Sequence, residues 1–199
     1  MPFFSNTGPG GFEPKRSFRF LISFTELGNI TFMATKAEKP SYEMETQDHQ
    51  VLNHVFKFPG IIKWADTSIS FIDAMEPNVG SKFYNALLNA GYVNPVSQDA
   101  LATGITKVQS TRALGEVKIK QLNGGGIILP QGVDPGEFKG AIDATKYIEE
   151  WTLKNAFIKG VKWGTLDYGS QDLVNIDIDI TYDYATYSTS AGGTSLPGL

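Results

Sequence analysis

Three carboxylates recur at odd positions near the end of the chain. Asp177, Asp179 and Asp183 stand in the stretch NIDIDITYDY (residues 175 to 184), against Ile176, Ile178, Ile180 and Tyr182 at even positions. On an extended strand, side chains two residues apart share a face and lie ~6.5 to 7 Å apart, within the range of the carboxylate pairs that hydrolyse glycosides. That chemistry also needs one carboxyl buried enough to keep its proton, whereas a strict in-out alternation predicts a solvated row. The row therefore reads as a solvent-facing sheet surface or as one wall of an aqueous channel built from several copies.

Other chemistry-bearing patterns are sparse. His49 and His54 are the two histidines, five residues apart and with no acidic cluster beside them, which is not a metal-ligand pattern. The glycine-rich NGGGIILP neither follows a strand with dinucleotide-fingerprint spacing nor carries the Lys-Ser/Thr of a phosphate-binding loop, so it reads as a surface loop. The absence of cysteine excludes disulfides, thiolate zinc sites and a cysteine nucleophile. Trp64, Trp151 and Trp163 leave open a carbohydrate-binding β-sandwich, although large aromatics more often fill cores and interfaces. No catalytic, metal or cofactor-binding residue is assigned, and no enzyme is expected.

The composition bounds what must position these groups. With 199 residues, 41% hydrophobic and 19% charged, the chain suits one domain with a sizeable core. A net charge of -4 offers no basic footprint for gripping a phosphate backbone. The N-terminal stretch lacks the pattern of a secretory signal and no run approaches ~20 apolar residues, so a soluble, unexported chain is expected.

Along the chain, residues 1 to 17 read as an extended N-terminal arm, with Pro and Gly interspersed among Phe3, Phe4 and Phe12. FRFLISF and NITFMATKA, split by Leu27-Gly28-Asn29, predict a β-hairpin. EKPSYEMETQDHQ (38 to 50) is polar and reads as a loop or edge segment before VLNHVFKFPGIIKW, where Pro59-Gly60 signals a turn or bulge between two strands. ADTSISFIDAM alternates as a half-buried strand, with Ile69, Phe71 and Met75 on one side. The spacing of Val79, Phe83, Leu87 and Ala90, closed by Gly91, predicts a helix over about 78–91. Loops are expected at about 93–113 and 123–145, a strand at GEVKIKQL, a closing β region from Tyr147, and a flexible tail over 188–199.

FRFLISF with NITFMATKAEKPSYEMET, FKFPGIIKWADTSISFID with the helix VGSKFYNALL, and EWTLKNAFIKGVKWGTLDYGSQDLVNIDIDITYDYATY together resemble the tail tube proteins of contractile-tailed (T4-like) bacteriophages. That fold is shared with the secretion-system tube protein Hcp. The resemblance covers residues 18 to 187, and its most specific part is the last block, ending in the pair Asp183-Tyr184.

The resemblance implies a mainly β fold, a β-barrel or two-sheet sandwich with one flanking α-helix. It implies a structural protein whose hexameric rings join their sheets into an inner cylinder and stack into a tail tube, a conduit for genome ejection. Its partners would be itself, the tail sheath protein, the baseplate or tube initiator and the tube terminator, with the tape measure protein and DNA passing through the lumen without specific binding. No cofactor and no membrane are implied; the location would be the tail of a virion, assembled in the host cytoplasm. Carboxylates lining such a lumen would repel phosphates, and Asp177, Asp179 and Asp183 are the expected lumen-facing residues. Inter-ring contacts are expected at Phe3, Phe4 and Phe12 of the arm and at Tyr42, Glu43, Met44 and Glu45. A tube initiator or baseplate protein of the same fold and an Hcp-like secretion or pyocin tube are the alternatives.

Overall fold

A computed structural model describes residues 15–28, 30, 33–96, 104–122, 147–169 and 171–189. Phe3, Phe4 and Phe12, residues 123–145 and most of the 188–199 tail lie outside the described residues.

The core is built where alternation is strictest. In β9 (Asn175–Thr181), Ile176, Ile178 and Ile180 are fully buried while Asp177, Asp179 and Thr181 stay half-exposed. β9 lies inside one four-stranded antiparallel sheet, in the order β2 (Ala34–Ala37), β5 (Thr67–Ile72), β9, β8 (Phe157–Lys162). Ile69 and Phe71 of β5 point the same way as the β9 isoleucines, because residues directly opposite in an antiparallel pair share a face. Met75, expected to join them, lies past the strand and is exposed.

A second four-stranded sheet covers that apolar face, in the order β1 (Phe20–Phe24), β6 (Val117–Leu122), β7 (Tyr147–Lys154), β10 (Tyr184–Thr189). Ile22, Phe24, Val117 and Leu153 supply its side of the core, and the Phe24 and Phe71 rings meet at 5.9 Å across the sheets. Each fully buried Ile or Phe contributes about 1.5–3 kcal/mol relative to exposure, so this interior holds the body together. The expected β1–β2 hairpin does not form: β1 pairs with β6 and β2 pairs with β5, on different sheets. Periodicity reports a strand's faces and not its neighbour.

Helix α1 (Val79–Asn89) sits where its spacing predicts. The Asn78 side chain accepts the Ser81 N–H at 2.7 Å, and Val79, Phe83 and Ala86 are buried against the sheet, with Phe83 meeting Phe71 at 5.4 Å. A second helix, α2 (Lys107–Leu114), occupies the end of the stretch expected as a loop. Its signals are caps, Thr106 before it and Gly115 (φ 71°) after it; it buries Leu114 alone, so no apolar stripe announces it.

The remaining two strands stand apart. β3 (Tyr42–Val51) and β4 (His54–Trp64) form their own two-stranded sheet, and every residue of β3 is exposed. Residues 42–51, expected as a loop or edge segment, are thus a strand, and at Pro59-Gly60 β4 takes the bulge rather than the turn of the two expected possibilities. Pairing with each other, rather than a buried face, makes them strands.

Candidate functional site

Two surfaces position the residues that the sequence singles out: the open face of the β2–β5–β9–β8 sheet and the β3–β4 hairpin.

On the sheet, Asp177 lies within β9, opposite Ser70 on one side and Lys162 on the other, and Lys36 of β2 stands opposite Ser70. The Ser70 hydroxyl donates to Asp177 Oδ1 at 2.6 Å. Asp179 faces Ser68 and Gly160, next to a bulge that displaces Lys159 towards Asp66. Lys159 Nζ donates to Asp66 at 2.6 Å and the Thr181 hydroxyl donates to its other oxygen at 2.8 Å. These two bonds hold the Asp66 carboxyl below the usual range, Lys159 being the larger cause. The face is charge-alternating: carboxylates and serines on the middle strands, lysines on the edge strands β2 and β8.

Asp183 is separated from the other two. It sits in the turn between β9 and β10, where both carboxylate oxygens accept from Lys107 Nζ (2.7 and 2.8 Å) and one accepts from Asn155 Nδ2 at 2.8 Å. Its N–H donates to the Lys154 carbonyl at 3.1 Å. Lys107 first and Asn155 second pull its carboxyl below the ordinary range. Asp183 thereby ties α2 to the turns at one corner of the two sheets, a role that strand periodicity does not reveal.

The hairpin carries Tyr42, Glu43, Met44 and Glu45 at its base. A span of ten or eleven residues per strand reaches on the order of 30 Å. The Tyr42 and Trp64 rings meet at 5.4 Å, and Trp64 meets Tyr182 of the core at 6.0 Å, which roots the hairpin in the body. Beyond that root, among the described elements, the strands make their substantial contacts with each other. Met44 pairs with Ile62 on the Tyr42 face; Glu43 and Lys63 lie opposite on the other face, where Lys63 also forms an ion pair with Glu45. Towards the tip the apolar character changes face: Phe56 pairs with His49, Phe58 with Gln47 and Val51 with His54. Phe56 and Phe58 are each 54% exposed, Ile61 69% and Leu52 88%.

Local chemistry builds this arm deliberately. At the bulge between Met44 and Thr46 a Cβ on Gly60 would sit 2.9 Å from the Glu45 carbonyl oxygen, so only glycine fits without movement. At the tip Leu52 takes a left-handed φ of 53°, an unfavourable state for an exposed leucine. A row of exposed large apolar residues on a projecting hairpin marks a contact surface. The sequence reading expects four contact residues at the hairpin's base and none at its tip, although FKFPGII carried a signal there: alternating aromatics in a strand that pairs with a polar partner.

Among the described residues no group of three or more His, Cys, Asp or Glu is placed to hold a metal, and no helix is long and apolar enough to cross a membrane.

No family model matches the chain, and no curated protein matches its sequence. Solved structures do match its shape. The sheath/tube terminator of an extracellular contractile injection system (PVC) in its extended state aligns with a TM-score of 0.59 at 14% identity, covering 89% of this chain and 99% of that one. The tube-terminating cap of the anti-feeding prophage aligns at 0.53 and 15% identity, covering 92% and 96%. A chain of the PVC sheath-tube complex aligns at 0.54 and 14% identity, covering 88% and 92%. The chain has the tail-tube fold of these contractile injection system components.

Proposed function

We propose that the protein is a structural subunit of the inner tail tube of a contractile-tailed phage, in which hexameric rings stack into a hollow conduit for genome ejection. The observation that carries this reading is the β3–β4 hairpin, an exposed apolar arm whose strands pair only with each other among the described residues, on a fold shared with tube and terminator proteins. The hairpin, with Tyr42, Glu43, Met44 and Glu45 at its base, docks on a neighbouring subunit, as do Phe3, Phe4 and Phe12 of the N-terminal arm. Sheath, baseplate or tube initiator, and terminator contact the assembled tube, which is carried in the virion tail after assembly in the host cytoplasm. The tape measure protein and DNA pass through without specific binding.

In this reading Asp177 and Asp179 face the lumen, while Asp183, expected beside them, is taken up by Lys107 and Asn155 at the β9–β10 turn. The lysines at the sheet edges narrow the expected acidic lumen to a polar one, with carboxylates on the middle strands and cations towards the joints between subunits. Such a wall has few unpaired cations to hold phosphates, so DNA slides past it. No part of the reading requires a reaction.

Removal of residues 2 to 12 tests the arm: the shortened protein is expected to fold yet polymerise poorly, and normal tubes would contradict its role. Long tubes from the purified protein favour a tube subunit over an initiator, which would stop at one ring.

A further inference from the structure

A cleft of about 590 Å³ opens between the two sheets beside β2, lined by Lys15, Lys36, Lys39, Lys120, Glu149 and Trp151 together with Phe18 and Phe20. Among the described residues its lining holds more lysines than carboxylates. Glu149, 4% exposed, receives both Lys15 and Lys39, so two ammonium groups share one carboxylate. Lys120 lies 3.2 Å from Glu150, and Lys36 is 71% exposed with Glu38 at 3.7 Å. The indole N–H of Trp151 is buried with no acceptor among the described residues. A volume of this size suits a side chain or two, and its walls ask for an aromatic or aliphatic group with a carboxylate beside it.

The chain presents such a group at the other side of the same sheet. After β8 ends at Lys162, the connection to β9 holds Leu166 at 85% exposure, Asp167, and a fully exposed Tyr168. Asp167 Oδ1 accepts the Gly169 N–H at 2.8 Å, which shapes the turn. β2 and β8 are opposite edges of the β2–β5–β9–β8 sheet, so the cleft flanks one edge strand and the turn follows the other. Two different patches that complement each other can join copies head to tail, an arrangement that generates rings or open stacks.

We propose that the Leu166-Asp167-Tyr168 turn of one copy docks in the lysine-lined cleft of the next, with Asp167 against Lys36 and the Tyr168 ring against Phe18 and Phe20. This rests on the reading as a tube subunit and adds a second contact to the hairpin. The complementarity is both of charge and of shape: a carboxylate enters a site with excess ammonium groups, and exposed Leu and Tyr leave water.

The test is charge exchange in the full-length protein. Asp167→Lys and Lys36→Glu alter exposed side chains, so each variant is expected to melt as the parent does. Each places like charges together and is expected to raise the concentration needed for assembly by about tenfold or more, since such juxtaposition costs several kcal/mol. The double variant is expected to assemble again. Single variants that assemble like the parent would overturn the pairing and leave the tube reading standing. Loss of assembly without recovery in the double variant would give the cleft to another occupant, such as the N-terminal arm, and also overturn it. If the parent forms neither rings nor tubes, the tube reading itself fails and the pairing falls with it.

Discussion

Strands β9 and β4 both alternate apolar residues with polar ones, yet they do opposite things with them. In β9 the apolar side, Ile176, Ile178 and Ile180, is sealed in the core, and the polar side is answered by Ser70, Lys162 and the Asp66–Lys159 pair nearby. In β4 the aromatic side, Phe56 and Phe58, faces outward with only the partner strand beside it. A face completed within the chain serves folding; under the proposed function, the face left open on the hairpin meets another subunit. The β9 isoleucines are out of water already, whereas the β4 aromatics remain about half exposed.

The sharpest way to break this contrast is to make the arm polar. Phe56→Asp with Phe58→Asp is expected to abolish rings and tubes while changing the melting temperature of the monomer by no more than a degree or two. Sedimentation and calorimetry on the same sample measure both, and a large loss of monomer stability would show that the hairpin belongs to the body's core. The converse substitution, Phe71→Ala, is expected to cost about 3–5 kcal/mol of folding stability, because the ring is fully buried between the sheets and α1. Chemical denaturation checks this one.

An intermediate effect is expected at the bulge. Gly60→Val drives a branched side chain into the Glu45 carbonyl and should bend the hairpin, weakening assembly more than folding. Amide exchange confined to residues 42–64 would show it.

Acid should act on the body before the arm. Asp66, Glu116 and Asp183 are held below the ordinary carboxylate range by hydrogen-bonded lysines, and Glu149 remains below it against the opposing, larger push of burial. A carboxyl depressed in the folded state stabilises above its unfolded value and loses that contribution as pH falls through the folded one. Stability is therefore expected to decline below about pH 4, where carboxylates of the unfolded chain begin to bind protons first. Asp183→Asn should flatten that decline slightly and cost about 1 kcal/mol or less at neutral pH, as for exposed ion pairs. The smallest effect is predicted for Asp177→Asn with Asp179→Asn: unchanged tubes and nearly unchanged stability, since these side chains stand on the half-exposed face of β9 and not in the core.

Much of the body was legible in the sequence. The β9 alternation, the Asn78-capped α1 and the mainly β class follow from local patterns that tertiary packing reinforces. The hairpin was half legible: EMETQDHQ is too polar to announce a strand, and its extended state comes from pairing with β4, information held twelve or so residues away. The separation of β1 from β2 depends on long-range pairing that no window contains. The basic cleft was illegible for the same reason, because Lys15, Lys39 and Glu149 meet only through the fold.

The most direct measurement is electron microscopy of the purified full-length protein, carried to a reconstruction in which side chains are placed. Stacked six-fold rings are expected, with Phe56 and Phe58 buried against a neighbouring subunit and Asp177 and Asp179 on the lumen wall. Monomers at high concentration with the hairpin free in solution, or tubes whose outer surface carries Asp177 and Asp179, would contradict it.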